Sequence, residues 1–428
     1  MKPKLAKPLA ALAAAALSAS LLGAALAQDT MSLPEQCSAV ELQYWNPFTG
    51  PDGPYMGQLV DRFNAEHETI TVTMNTLPEY GTQLTTAAAS DTLPDVAIIW
   101  ADQVATFVFR NVFRPMDDIV ERIGLSGDAF PEAVWAAGEV AGRRYAIPLD
   151  VHPLVMFYNA DLMREAGTET PPQTREEFEA AAEAMTGGRD YGFMLTTGFP
   201  VEQIFRSLLH QFGGEAFDED GAEATWNSEA GVRALEWMRS AQGQYGEENL
   251  EVDSELNAFR GGSVGMIWNG IWQTTNLTGD AVMFDGQATA FPQIGDQGAV
   301  WAGSHQFALP VQSSEDECHD AGVGVFIDYV LSNSVEWARA GQIPALTDVR
   351  ESEEFLAVEP QASIAPSADE AIFPPSVPGI TDTFGILNEA VASVMAGTAT
   401  DVQQALDDSV ARANELLEQN RQTFGDTP

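Results

Sequence analysis

Four segments set tryptophan beside side chains that hydrogen-bond strongly: Trp45-Asn46-Pro47-Phe48, Trp100-Ala101-Asp102, Trp268-Asn269-Gly270-Ile271-Trp272 and Trp301-Ala302-Gly303-Ser304-His305. A fifth, Asp150-Val151-His152, joins a carboxylate and an imidazole across one residue. An indole gives a large flat apolar face that is ordered at little entropic cost. Asp, Asn and His give planar acceptors and donors beside it. Together they suit a ligand with an apolar C–H face and a hydroxyl rim, which is what a pyranose presents. Binding of this kind breaks no bond.

Each candidate also has a plain structural role open to it. Asn46 and Pro47 shape a loop lip, and Trp45 either touches a ligand or packs beneath that loop. Trp100 ends a strand, and Asp102 either accepts hydroxyl hydrogens or caps the following helix. Alternation puts Asp150 and His152 on one face of their segment. There His152 either meets a hydroxyl or ties down backbone. Glycines before Trp268 permit close backbone approach. Asn269 either binds a hydroxyl or stabilises its turn. Trp301 and His305 either face a cleft or pack within a hinge.

These segments sit where strands end. Val40–Trp45 alternates apolar and polar residues, Ile70, Val72 and Met74 mark a second strand, and Asp95–Trp100 reads as a buried third. Helical spacing lies between them at Met56–Phe63 and Tyr80–Ala89. This rhythm predicts an α/β fold with mainly parallel sheets flanked by helices. Ligands of such sheets collect at the strand ends. Further strands are expected at Arg144–Pro148, Leu154–Tyr158, Ser263–Trp268 and Gln306–Val311. Asn159 should cap a short helix, and Thr174-Arg175-Glu176-Glu177 forms a capping box opening a helix to about Met185. Helices should follow at Val201–Phe212, Ser228–Gln242, His319–Leu331 and Asp401–Gln419.

Lys2, Lys4 and Lys7 precede a run rich in Ala and Leu that ends in Ala25-Leu26-Ala27, the pattern of a cleaved export signal over residues 1–27. Cys37 stands well beyond that run, which argues against a lipid anchor. Cys37 and Cys318 are the only cysteines, and export makes them either a disulfide or two free thiols. The three signal lysines are the only lysines, so 17 arginines face 63 acidic residues in the rest of the chain. Such a surface repels nucleic acid and anionic membranes. It also repels itself unless salt screens it, and predicts a halophilic or halotolerant source. The melting temperature should rise from low to molar NaCl; a fall in a calorimetric salt series removes this reading. About 400 residues exceed one core and predict two domains.

Other segments resemble a known family. They are Leu59-Val60-Asp61-Arg62-Phe63-Asn64 before Ile70-Thr71-Val72, Leu93-Pro94-Asp95-Val96, and Ile147-Pro148-Leu149-Asp150 followed by Tyr158-Asn159. Phe259-Arg260-Gly261-Gly262-Ser263-Val264-Gly265-Met266 with Asn269-Gly270-Ile271-Trp272, and Gly341-Gln342-Ile343-Pro344-Ala345, continue the order. The chain thus resembles the maltose-binding-protein-like, sugar-binding family of ABC-importer solute-binding proteins. The resemblance implies a two-lobed periplasmic-binding-protein fold joined by a multi-strand hinge. Lobe one would hold residues 29–149 and 303–345, and lobe two 150–302 and 346–428. It implies Trp272 as the stacking platform and Trp100-Ala101-Asp102 as a sugar-binding segment. His152 departs from the family pattern, where an acidic residue stands. The implied partners are a carbohydrate and the membrane permease subunits of an importer, with the protein a monomer in the periplasm or outside the cell.

Two rivals remain open. A polyamine or other cation would be drawn by carboxylates in the same fold. An exported glycoside hydrolase needs two carboxylates flanking a bond, and 63 acids supply pairs by chance. The G-x-S-x-G spacing at 261–265 opens the expected strand Ser263–Trp268 instead of joining a strand to a helix, so it forms no serine-nucleophile elbow. No HExxH or phosphate loop occurs, and the histidines at 67, 152, 210, 305 and 319 are scattered. The reading therefore expects no enzyme, no cofactor and no metal.

Overall fold

The structure, a computed structural model, describes residues 32–187, 190–247, 253–312 and 316–424. The export-signal reading falls on residues outside these. No helix among the described residues is long and apolar enough to cross a membrane.

Two large sheets form. The first runs in the order Ile70–Thr76, Val40–Asn46, Val96–Trp100, His305–Pro310 and Phe113–Arg114, with Ala146–Pro148 also paired to His305–Pro310. Its first three strands are parallel, as the β-α rhythm requires. His305–Pro310 runs antiparallel to Val96–Trp100 because the chain returns from the other lobe. The second sheet runs Ala371–Ile372, Val300–Gly303, Asp150–Asn159, Val264–Gly270 and Tyr191–Met194, with Gly286–Ala290 and Ile343–Pro344 also on Asp150–Asn159. The long strand Asp150–Asn159 enters from lobe one and is antiparallel to each neighbour. This sheet is therefore mixed, more so than the β-α rhythm suggested.

Local signals account for many element ends. The Asn159 side chain accepts from the N–H groups of Asp161 and Leu162, capping Ala160–Glu165. Thr174 and Glu177 form both halves of the capping box on Arg175–Met185. The segment read as starting at Leu154 begins instead at Asp150. Pro153 lies inside it, a residue that normally weakens a strand assignment. Nearly every residue of this strand is buried, so alternation is missing there.

Helices Arg175–Met185, Val201–Gln211, Glu229–Tyr245, Asp382–Met395 and Val402–Phe424 enclose the second lobe's core around Phe178, Phe193, Phe205, Trp226 and Trp268. Each such side chain withdrawn from water contributes roughly 1.5–3 kcal/mol. At the hinge the crossing segments bind one another. The Leu149 N–H donates to the His305 carbonyl at 2.8 Å, and the Ala345 N–H to the Leu149 carbonyl at 3.1 Å.

Cys37 and Cys318 are joined in a disulfide that ties the N-terminal strand region to the helix Glu317–Ser332, across 281 positions. A loop of that size restricts the unfolded chain by up to about 5 kcal/mol in the chain-entropy view. Replacing both cysteines by serine should lower stability by roughly 2–5 kcal/mol. Denaturant unfolding with and without reductant checks this, and the reductant should leave the serine variant unchanged.

Candidate functional site

A cavity of about 440 Å³ opens between the lobes. Loops after the first and third strands supply Phe48, Asp52, Trp100, Asp102 and Gln103 from lobe one. The opposite wall carries Phe199, Gln203, Trp272, Trp301 and Phe373, and the hinge supplies His152, His305 and Gln342. Six of the eleven side chains singled out from the sequence thus line one cavity: Trp100, Asp102, His152, Trp272, Trp301 and His305.

The aromatic wall is built at right angles. Trp272 and Trp301 have ring centres 6.3 Å apart and planes at 86°. Phe199, which is 60% exposed, lies nearly parallel to Trp272 at 5.7 Å. Gly270 makes the Trp272 position possible, because a Cβ there would lie 2.0 Å from the indole. Trp301 is fixed from behind: its backbone N–H donates to the Ser207 hydroxyl at 2.8 Å, and the Arg206 guanidinium lies 5.9 Å from its ring centre. That guanidinium is spoken for, paired with Glu202 and lying 3.8 Å from the Phe384 ring centre.

Beneath the cavity is Asp150, fully enclosed. Its Oδ1 accepts from His152 Nδ1 at 2.9 Å and the His305 backbone N–H at 2.9 Å. Its Oδ2 accepts from His305 Nδ1 at 2.8 Å and Trp337 Nε1 at 2.6 Å. Burial alone would raise its pKa, but the two histidines reverse this and hold the carboxyl well below the usual range. Burial, and then the nearby His305, lower the pKa of His152, with Asp150 opposing them. Asp102 moves the other way, because burial raises its carboxyl and Arg206 offsets only part. Asp150, His152 and His305 have the atom types of a small metal site, with one ligand atom of each within 4.8 Å of the others. Both oxygens of Asp150 already accept two hydrogen bonds each.

The other five candidates do not line the cavity. Asp150 stands behind the histidines. Trp268 is fully buried against Phe178, Phe193, Trp237 and Phe291. Trp45 packs on the lobe-one core. The Asn46 side chain accepts from the Phe48 N–H and the Thr76 hydroxyl. The Asn269 side chain accepts from the Gly270 N–H, holding the turn. Asp52, Phe199, Gln203 and Gln342 went unmarked in the sequence. Only Phe199, an aromatic between Gly198 and Pro200, carries a local hint of a loop-tip contact.

Acid should weaken the lobe that holds the cavity wall. His210 is pulled down to about 4 by burial and by Arg206. Its neutral form contributes stability that is present above the unfolded value near 6.5 and lost as pH falls toward about 4. The cost is on the order of 3 kcal/mol, less whatever Glu215 at 3.2 Å restores. His210→Gln should flatten the stability profile between pH 6.5 and 4, measured by urea unfolding.

Two lobes, each with its own sheet, a hinge of crossing segments and an aromatic cavity between them define a hinged binding protein. Residues 58–362 match the family described as bacterial extracellular solute-binding protein. This chain belongs to that family. Among relatives, a Brucella abortus protein named as a binding protein is 23% identical over 389 residues, covering 86% of this chain and 91% of its own. The sn-glycerol-3-phosphate-binding periplasmic protein UgpB of Escherichia coli is 22% identical, covering 92% and 96%. The ABC substrate-binding protein from Listeria monocytogenes in complex with cycloalternan superposes with a TM-score of 0.75 at 20% identity, covering 89% and 100%. All three are named as binding proteins.

Proposed function

We propose that the cavity captures a carbohydrate, from mono- to oligosaccharide, and that the closed protein delivers it unchanged to the permease subunits of an ABC importer. The carrying observation is the meeting of three indoles, Trp100, Trp272 and Trp301, with Asp52, Asp102, His152 and His305 on one cavity. The cycloalternan-binding relative supports this ligand class. The UgpB relative raises an anionic alternative, but among the described residues the lining has two carboxylates and no lysine or arginine. Arg206, behind Trp301, is already paired with Glu202 and is not free to meet a phosphate there.

The proposed lobes are residues 29–149 with 303–345, and 150–302 with 346–428; most strands of the two sheets divide this way, and Ile343–Pro344 crosses the division to pair with Asp150 and Val151. Ligand touching both lobes favours the closed form by its differential affinity for it. The protein acts as a monomer, outside the cytoplasm, with no nucleic acid partner and no cofactor. A thermal-shift screen of mono-, di- and oligosaccharides, polyamines and glycerol phosphates tests this reading, with product analysis of each hit. A sugar should raise the melting temperature and be recovered intact. A hit confined to polyamines or phosphates overturns the ligand class, and a hydrolysed sugar overturns the non-catalytic role.

A further inference from the structure

Resting on the carbohydrate reading, we propose that Asp150 is a positioning residue. It locks His152 and His305 in one tautomer and makes the cavity floor a pair of acceptors. The ligand must then present two neighbouring hydroxyl hydrogens to that floor.

The argument is one of counting donors. An ionised carboxylate only accepts. Four N–H groups converge on Asp150, two to each oxygen, and two of them are the Nδ1 atoms of His152 and His305. Above the imidazole titration range a ring carries a single proton, and here both rings must place it on Nδ1. Each Nε2 is then a bare lone pair. Among the described residues, the protein hydrogen bonds of both rings are made through Nδ1. Both rings line the cavity, with centres 4.3 Å apart and planes 30° from parallel. Gly303 keeps the first of them clear, because a Cβ there would stand 2.1 Å from His152 Nε2. The carboxylates of Asp52 and Asp102 on the lobe-one rim are acceptors too. A sugar ring with adjacent free hydroxyls supplies matching donors; an ether or deoxy carbon does not.

The same pairing predicts what an isosteric change does. In Asp150→Asn the amide oxygen accepts and the amide nitrogen donates. A ring facing that nitrogen must accept through Nδ1, so its proton moves to Nε2 and one cavity acceptor becomes a donor. The amide nitrogen also leaves the His305 backbone N–H or the Trp337 indole N–H without its acceptor, so some stability is lost while the floor changes its hydrogen-bonding sense, as in the tautomer error caused by the same substitution in a serine-protease triad.

The test is a long-range proton–nitrogen correlation of the imidazoles in the ¹⁵N-labelled mature protein at pH 8.5, assigned with His152→Gln and His305→Gln. Both rings should show a protonated Nδ1 and a bare Nε2. Asp150→Asn should move one of them to the opposite tautomer and weaken the best sugar ligand roughly ten- to a hundredfold. Deoxy or O-methyl analogues at two adjacent positions should lose affinity to a similar degree on the unaltered protein, which keeps the test independent of how the variant folds. Sugar binding with either ring protonated on Nε2, or deoxy series that bind as tightly as the parent, overturns the proposal. Rings in the stated tautomer with no sugar ligand overturn the carbohydrate reading, and with it the ligand half of the proposal alone.

Discussion

Trp272→Ala should raise the Kd for the sugar ligand about thirty- to a hundredfold, the roughly 2–3 kcal/mol that loss of a central aromatic anchor costs. The unfolding midpoint should barely move, because Trp272 is half-buried and lines the cavity instead of filling the core. Gly270→Ala should weaken binding in the same direction without removing the indole. Its new methyl would fall on the ring, so the ring must leave its place. Trp268→Ala should do the reverse. That ring is enclosed by four aromatic neighbours, and emptying its site should cost about 3–5 kcal/mol of stability. Titration calorimetry and denaturant unfolding on the three variants separate anchor, platform and core.

Asp150→Ala should be the most destabilising single change near the cavity. It leaves two imidazole N–H groups, the Trp337 indole N–H and the His305 backbone N–H without their acceptor, all in a region closed to water. Removing one partner of a buried charged network costs on the order of 3–5 kcal/mol. Asp150→Asn keeps the shape and half of the acceptors, so it should retain a larger share of the stability. Urea unfolding of both variants at neutral pH measures the difference. Equal midpoints for Ala and Asn would mean that the carboxylate's hydrogen bonds contribute little, and the rigid floor would lose its cause.

Much of this architecture is legible in the chain because its local signals agree. The Asn159 cap, the Thr174–Glu177 box and the alternation of Val40–Trp45 each depend on residues a few positions apart. The site is legible only in part. Trp268 and Trp272 stand in one short segment, yet one is core and the other faces the cavity. The strand Val264–Gly270, which holds Trp268, is buried along its whole length and ends before Trp272, so periodicity cannot assign a face. Asp150 and His152 do share a face, as alternation required, but the carboxylate spends itself on His305 and Trp337, 155 and 187 positions away. Asp52 and Gln342 meet across 290 positions. Contacts of that range are set by how the lobes close, which no local pattern encodes.

The most direct trial is a crystal structure of the protein with its tightest sugar. The C–H face should lie on Trp272, with adjacent hydroxyls within hydrogen-bond reach of His152 and His305 and a further contact from Asp52 or Asp102 across the gap. A sugar found instead in the neighbouring hollow of Arg206, His210 and Phe217, or held by one lobe only, would contradict the claim that this cleft is where the ligand is caught.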